Sequence, residues 1–146
     1  MNPAVDAPLR GAYRGAMADW EAVRKLALAM PGAVEQPARG DPAWRVDGKV
    51  FVLERPLRAA DLAHLGIDAQ EGPVLGAKVE DEAVKFALIE EDPAVFFTTP
   101  HFDGYAYVLV HLDRIDDRRL AELVEEAWIA VAPKRLAREW LAAHPD

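Results

Sequence analysis

The dipeptide Asp47-Gly48 is the feature that most restricts how this chain can fold. It separates two short stretches, 42–46 and 49–53, and both Asp and Gly suit the positive φ angles of a two-residue turn. The pattern therefore predicts a β-hairpin. In such a hairpin Trp44 would lie opposite Phe51, and this aromatic pair would begin one buried face of a sheet.

Helical patterns lie at both ends of the chain, and most strand patterns lie between them. Apolar residues recur at helical spacing after Asp19, a good N-cap, and again after Asp116 or Asp117. The other predicted elements are strands at 74–79, 94–98 and 105–112, helices after Glu80 or Asp81 and from Pro133, and a short helix at 59–65. This order favours a two-layer α+β domain, with helices packed on one antiparallel β-sheet, over an alternating parallel fold.

A single domain is predicted for residues 18–146. The chain length of 146 residues is near the commonest size of one domain, and no linker divides it. Residues 1–17 contain few large apolar groups and are expected to form a flexible N-terminal arm. We see neither a signal peptide nor an apolar run that could span a bilayer, so a cytoplasmic location without a membrane partner is expected.

The composition excludes several kinds of chemistry. The chain has no cysteine and no serine, which rules out disulfides, thiolate metal sites and the usual nucleophiles other than threonine. No glycine-rich phosphate loop is present. None of the four histidines lies two to four residues from another, so there is no local zinc motif, although a site assembled from distant ligands stays open. The sequence thus predicts no catalytic residue and no cofactor, and it favours a binding protein over an enzyme.

The segment 96–105 carries the best candidates for a pocket. It places hydroxyl, imidazole and carboxylate groups at a turn, and turns on rigid scaffolds often carry function. An imidazole is a common base and ligand in proteins, and His101 could act as either. Alternatively, the segment only shapes a tight strand connection, with His101 bound to backbone groups. The pocket candidates are Thr98, Thr99, His101, Asp103 and Tyr105.

Charge is distributed unevenly along the chain. The net charge of −8 argues against nonspecific nucleic-acid binding, because attraction to phosphate dominates such binding. The hairpin region and the last helix are nevertheless mildly basic. They supply candidates for DNA contacts, namely Arg45, Lys49, Lys134, Arg135 and Arg138. The last three could instead pair with acids of the preceding helix, such as Glu125 and Glu126. The acidic runs 80–82 and 90–92 could bind a hard cation, but a solvated helix surface is the simpler explanation.

Three segments together match a known bacterial family in order and spacing. They are Pro42-Ala43-Trp44-Arg45-Val46 with Gly48-Lys49-Val50-Phe51, then Phe96-Phe97-Thr98-Thr99-Pro100-His101-Phe102-Asp103-Gly104-Tyr105, and Trp128 with Ala132-Pro133-Lys134-Arg135-Leu136. On these residues the chain resembles the MmcQ/YjbR family over residues 18–141. The resemblance implies a small cytoplasmic α+β domain with a CyaY-like (frataxin-like) arrangement. Members of this family are often labelled DNA-binding, and no catalytic residues come with the resemblance. The chain departs from the family pattern at residues 57–72 and in its N-terminal arm.

Three functions remain as hypotheses. The first is a DNA-binding or regulatory module, which the family resemblance favours. The second is a small-molecule or metal-binding protein with a pocket around His101. The third is a protein-interaction domain or homodimer that uses an exposed apolar face.

Overall fold

The computed structural model describes residues 18–145, which contain five α-helices and six β-strands. The helices are α1 (Trp20–Leu28), α2 (Ala59–Leu65), α3 (Glu82–Glu91), α4 (Asp117–Val131) and α5 (Lys134–Ala143). The strands are β1 (Val34–Glu35), β2 (Ala43–Val46), β3 (Lys49–Glu54), β4 (Val74–Lys78), β5 (Phe96–Phe97) and β6 (Tyr107–His111). The arm predicted at residues 1–17 lies outside the described residues.

The strands form one sheet in the order β1-β2-β3-β4-β6-β5. Every neighbouring pair in it is antiparallel. The sheet and its helices confirm the predicted α+β class. Between residues 18 and 145, no helix is both long and apolar enough to cross a membrane.

Aspartates begin three of the helices, and for α3 and α4 the structure decides between the two residues that the sequence offered. Asp19, Asp81 and Asp116 are the N-caps of α1, α3 and α4. Each carboxylate accepts a hydrogen bond from the amide three residues later, at 2.9, 2.9 and 2.8 Å respectively. Such a cap stabilises a helix by about 1 kcal/mol, because it satisfies an amide that has no partner within the helix.

One face of the sheet is covered by α1 and α4. Val52, Ala77 and Val108 lie side by side on β3, β4 and β6 and belong to the core beneath these helices. Trp128 of α4 is fully buried there, and its indole Nε1 donates to the Pro31 carbonyl at 3.0 Å. This side of the molecule is a closed, apolar core.

The hairpin forms where it was predicted, but its register contains a bulge. The φ angles of Asp47-Gly48 are +53° and +78°, as the turn requires. Trp44 pairs with Val52, however, and not with Phe51. Phe51 is the extra residue of the bulge, and both Phe51 and Val52 are buried in the same core. The predicted pairing of Trp44 with Phe51 was wrong. It assumed that side chains of β3 alternate strictly between the two faces of the sheet, and strict alternation cannot bury two successive residues in one core.

Three details differ from the predicted elements. Val34–Glu35 forms an edge strand, and only two residues of 94–98 are in a strand. A strand of two residues is too short to show an alternating apolar pattern, so its pairing with a longer neighbour decides its extent. On α3, Ala87 is exposed although it was expected on the packed face, whereas Lys85 is fully buried.

The opposite face of the sheet is only partly covered. Leu53, Gly76, Leu109 and Phe97 form a row on this face across β3, β4, β6 and β5. The short helix α2 and the 3₁₀ turn Pro100–Phe102 contact each other at this side. The cleft between them and β3 is lined by polar groups from several segments of the chain.

Candidate ligand-binding site

A buried ion pair anchors α2 to the partly covered face. Arg55 directly follows β3, is 4% exposed, and donates from Nη2 to Oδ2 of Asp61 at 3.1 Å. The same carboxylate accepts the Arg58 amide at 2.9 Å and the Thr99 hydroxyl at 2.8 Å. Nη1 of Arg55 donates to the Pro56 carbonyl. These bonds join β3, the start of α2 and the chain after β5 into one unit.

The carboxyl of Asp61 stays ionised within this network. Burial alone raises the pKa of Asp61, since the charged form loses water. Hydrogen bonds from Arg58 and Thr99, followed by the charge of Arg55, more than offset burial and lower the pKa from its usual value. Asp61 therefore balances the charge of Arg55 at neutral pH. The guanidinium lies 5.1 Å from the ring centroid of Phe102, so the pair also supports the wall of the cleft.

Helix α3 holds the turn that carries His101. Lys85 is fully buried, and its Nζ donates to the carbonyls of Phe102 and Tyr105, both at 2.9 Å. Glu82 lies 3.5 Å from the same ammonium and accepts the Gly104 amide at 3.0 Å. A buried ammonium requires such partners, because an unpaired charge in the interior is costly. Lys85 and Glu82 thus fix the path of residues 100–105.

The central cleft opens between β3, α2 and this turn. Its volume is about 230 Å³. Its floor is apolar and aromatic, and its rim carries charges of both signs. The lining residues are Ala38, Arg39, Asp41, Val50, Leu53, Glu54, Arg55, Arg58, His101, Phe102 and Tyr107.

An aromatic groove adjoins the central cleft. It is lined by Arg39, His101, Phe102, Tyr105 and Tyr107, of which four are shared with the cleft. The Tyr107 hydroxyl donates to the Val50 carbonyl at 2.9 Å, and burial raises the pKa of Tyr107 against the opposing charge of Arg45. The phenol is therefore a fixed, protonated part of the wall.

Two arginines at the rim keep their guanidinium groups available. Arg39 sits in a tight turn in which Ala38 and Asp41 exchange backbone hydrogen bonds of 2.9 and 3.0 Å. Its φ of +53° is uncommon for a residue with a side chain. Within residues 18–145, neither Arg39 nor Arg58 forms an ion pair. Asp41 likewise has no ion pair there, so the rim offers both donors and acceptors to a ligand.

The five pocket candidates have different positions. His101 lines the central cleft, and Tyr105, 62% exposed, lines the aromatic groove with it. Thr99 is buried beneath the cleft in the Asp61 network. Thr98 and Asp103 line neither cavity. Among the described residues, the His101 imidazole has no hydrogen-bond partner and packs edge-on against Phe102, with ring centroids 4.9 Å apart.

The DNA-binding candidates fall into two groups. The guanidinium of Arg45 donates to the carbonyls of Gln36, Pro37 and Gly48 at 3.2 to 3.3 Å, so it is engaged within the hairpin region. Lys49 is exposed at the hairpin tip.

The other three cations project from α5 into solvent. They are Lys134, Arg135 and Arg138. Arg135 lies 3.7 Å from Glu139 of the same helix, and no acid of α4 pairs with it. Weak pairing of this kind leaves the charge accessible.

The acidic run 80–82 at the start of α3 has structural contacts. Asp81 caps the helix, and Glu82 binds the Gly104 amide and faces Lys85. In the part of the chain that the structure describes, no three His, Asp or Glu residues are grouped so as to hold a metal ion.

Sequence reasoning missed several residues that build the site. Arg55, Asp61 and Lys85 are buried charges, and the sequence shows no partner for any of them nearby in a recognisable motif. A usable signal existed for Lys85, because it lies three residues before Leu88 on a helix and so shares the buried face. Arg39 and Tyr107 reach the cleft only through the tertiary fold.

The fold is shared with a protein of known structure. A protein of Deinococcus radiodurans, DR2400, whose crystal structure carries a domain named DUF419, matches with a TM-score of 0.61. The match covers 86% of this chain and 89% of that chain at 20% sequence identity.

Sequence comparison gives the family. Uncharacterized proteins of Mycobacterium bovis and Mycobacterium tuberculosis are each 46% identical to this chain over 129 residues, which are 86% of this chain and 98% of the relatives. The model of the YjbR family matches residues 28–130. This match includes the hairpin and the 96–105 segment and confirms the family resemblance: the chain belongs to the YjbR family.

Proposed function

We propose that this chain is a binding protein for a small planar molecule, which occupies the central cleft and the aromatic groove. The observation that carries the proposal is the convergence of Arg39, Arg58, His101 and the Phe102 and Tyr107 rings on one cavity. Ligand sites typically combine an apolar, aromatic lining with a few well-placed polar groups. The cleft has this form, and its polar groups come from three separate elements.

The rim favours a ligand that carries both hydrogen-bond donors and acceptors. Arg39 and Arg58 can donate to an anionic or carbonyl oxygen, while Asp41 and Glu54 can accept from an amino group. The aromatic side chains favour a flat ring, since ring faces attract each other in offset or edge-on geometry. The proposal concerns binding alone and assigns no catalytic role to any residue of the cleft.

A thermal-shift and ¹⁵N NMR screen of planar metabolites tests this proposal. Nucleosides, aromatic carboxylates and flat heterocycles would be included, because a ligand of the native state raises the melting temperature by mass action. Chemical-shift changes should cluster at the amides of Arg39, Arg58, His101 and Tyr107.

Matched substitutions separate the cleft from the general surface. His101→Ala and Arg58→Gln should each weaken binding about tenfold, which corresponds to about 1.4 kcal/mol. His64→Ala and Arg138→Gln change the same residue types at exposed positions away from the cleft and should leave affinity unchanged. Equal effects of cleft and control substitutions, or shifts that cluster elsewhere, would contradict the proposal.

Duplex DNA is a second candidate ligand, at a different surface. A groove beside the hairpin is lined by Lys49 together with Val131, three residues before Lys134. Gly32 lies between Val46 and Leu136, since a Cβ added there would be 3.7 and 3.8 Å from their side chains. The hairpin and α5 are therefore neighbours, which supports a common cationic surface. The net charge of −8 and the engaged Arg45 count against strong binding.

A gel-shift titration at several salt concentrations tests the DNA candidate. Each phosphate contact should contribute a slope of about −0.9 to the log–log plot of affinity against salt. Lys134→Ala with Arg135→Ala should reduce the slope by about two such contacts. Absence of binding at about 50 mM salt ends this candidate, since electrostatic binding is strong at low salt.

A further inference from the structure

A pair of lysines lines a second groove next to the central cleft. Lys49 begins β3 and Lys78 ends β4, and these strands are antiparallel neighbours, so the two residues lie at the same end of the sheet. Both line a groove of about 600 Å³ with Ala130 and Val131 of α4, which we call the lysine groove.

Neither lysine is neutralised by a protein acid. Within residues 18–145, no carboxylate lies within 4.0 Å of either ammonium. Lys78 Nζ instead lies 5.5 Å from the ring centroid of Tyr107, which orients it without cancelling its charge. Two ammonium groups without a carboxylate partner give this groove a local positive charge, although the protein as a whole is acidic.

The lysine groove and the central cleft share one wall. Val50 and Tyr107 line both cavities, and the 2.9 Å hydrogen bond between the Tyr107 hydroxyl and the Val50 carbonyl fixes that wall. The two cavities therefore lie on either side of this shared wall, which we call the ridge. The central cleft, at about 230 Å³, is smaller than the roughly 300–1,000 Å³ of typical ligand sites, so a complete ligand would extend beyond it.

We infer that the ligand of this site is a nucleotide, with its base in the central cleft and its phosphates across the ridge in the lysine groove. This inference rests on the proposed binding function of the cleft and adds the ligand class. A base provides a flat ring for Phe102 and Tyr107, and its edge has donors and acceptors to match the cleft rim. Phosphate is an anion that lysine ammonium groups bind well.

The nucleotide could be free or part of a single strand. Single-stranded nucleic acids are bound by a basic groove together with aromatic side chains on which bases stack. The shared chemistry is one base with its adjoining phosphate, so the experiment includes both sources.

Calorimetric titrations with the four nucleosides, their 5′-diphosphates and single-stranded homo-oligonucleotides test the inference. We expect at least one diphosphate to bind wild-type protein about tenfold more tightly than its own nucleoside, which is what one charge-assisted contact provides. Lys49→Gln with Lys78→Gln should abolish this difference while nucleoside affinity stays the same. Lys25→Gln with Arg118→Gln removes two other exposed cations, neither of which belongs to a candidate site, and should preserve it. Far-UV circular dichroism checks the fold of each variant.

The outcomes separate this inference from the proposal on which it rests. If a nucleoside binds in the cleft but its diphosphate binds no better, the lysine groove has no role and the inference fails, whereas the cleft proposal stands. If no nucleoside or diphosphate binds, the inference also fails, and the screen of other planar molecules decides the cleft proposal independently. If the diphosphate gains affinity equally in the Lys49/Lys78 variant, the phosphates lie elsewhere and the inference is overturned. An oligonucleotide that binds more tightly than the diphosphate, with the increment lost in that variant, identifies a single strand as the source.

Discussion

The two faces of the sheet differ in how they are held. The face beneath α1 and α4 is closed by apolar side chains such as Val52, Ala77 and Trp128, with few polar atoms to satisfy. The other face is held by buried charges, of which Arg55, Asp61 and Lys85 are the main ones. Apolar packing is non-directional, so it specifies a core without fixing single contacts. The hydrogen bonds of these charged groups are directional, and here they set the positions of a helix and a turn around an open cleft.

The difference explains why one face is a core and the other a candidate site. A closed apolar face excludes ligands, whereas a face built on polar anchors leaves room between them. The anchors also keep side chains such as His101 in place, although His101 itself is solvent-exposed. Substitutions on the two faces should therefore have different consequences, one for stability alone and one for stability together with binding.

The largest effect is expected from Trp128→Ala on the closed face. Replacing a fully buried tryptophan should lower the free energy of unfolding by about 3–5 kcal/mol, through the lost apolar contacts and the cavity left behind. Urea unfolding followed by circular dichroism measures the change. Leu141→Ala, at a residue 47% exposed on α5, is the control and should cost less than about 1 kcal/mol. A loss below about 1.5 kcal/mol for Trp128→Ala would mean that the closed face contributes less than its burial indicates.

A comparable but smaller loss, about 3 kcal/mol, is expected from Asp61→Ala on the cleft face, because Arg55 would be left charged and buried without a partner. The double variant Arg55→Met with Asp61→Leu removes both charges and should recover most of that loss. The same unfolding assay applies to both. If the double variant is as unstable as Asp61→Ala, the packing of α2 and not the charge pair is the source of the loss.

Lys85→Met should lower the free energy of unfolding by about 2 kcal/mol, since the carbonyls of Phe102 and Tyr105 lose their donor. The turn at 100–105 should also become mobile, and ligand affinity at the cleft should fall although Lys85 does not line it. Hydrogen exchange of the Phe102 and Asp103 amides measures the mobility of the turn. Lys25→Met, at an exposed lysine of α1, is the matched control. Unchanged exchange at the turn in Lys85→Met would show that Lys85 does not position it.

The smallest effect concerns pH and His111, whose ring stacks on Phe97 with centroids 4.4 Å apart. Burial, followed by the charge of Arg114, lowers the pKa of His111 below its ordinary 6.5, against the opposing charges of Asp113 and Glu71. The unfolded state keeps the ordinary pKa, so just below pH 6.5 it binds a proton at His111 more readily than the folded state does. The free energy of unfolding therefore falls as the pH drops through this window.

His111→Phe keeps the stacking and removes the titration, so melting temperature should depend less on pH in this window than it does in the wild type. Glu126 is the group to control for, because burial raises its pKa from the ordinary value of 4.5. Its contribution to stability therefore falls as the pH rises above 4.5, which is the opposite of the dependence expected from His111. Equal pH dependence in wild type and His111→Phe would contradict the assignment.

Much of the architecture could be predicted because its signals are local. Asp47-Gly48 identified the hairpin, and Asp19 identified the start of α1. The N-caps of α3 and α4 were predicted to within one residue, as Glu80 or Asp81 and as Asp116 or Asp117. Each depends on bonds or φ angles within a few residues of the signal. The bulge at Phe51 and the two-residue strand at 34–35 were missed, because a partner strand and not the local sequence decides them.

The candidate site was predicted only in part. His101 and Tyr105 stand out in one continuous segment, and both line the cavities. Arg39, Arg58 and the lysine pair belong to other segments, and nothing local relates them to His101. Their relation depends on the order of the strands in the sheet, which brings distant segments together.

The sequence by itself determined the α+β class, the hairpin, the capped helices and the family, since each follows from residue type at short spacing. The tertiary structure alone decided which charges are buried together. Arg55 and Asp61 are six residues apart, but Thr99 reaches the same carboxylate from 38 residues further along the chain. Lys85 meets carbonyls 17 and 20 residues away. Hydrogen bonds require atoms to be placed within a few tenths of an ångström, and only the packed chain provides that placement.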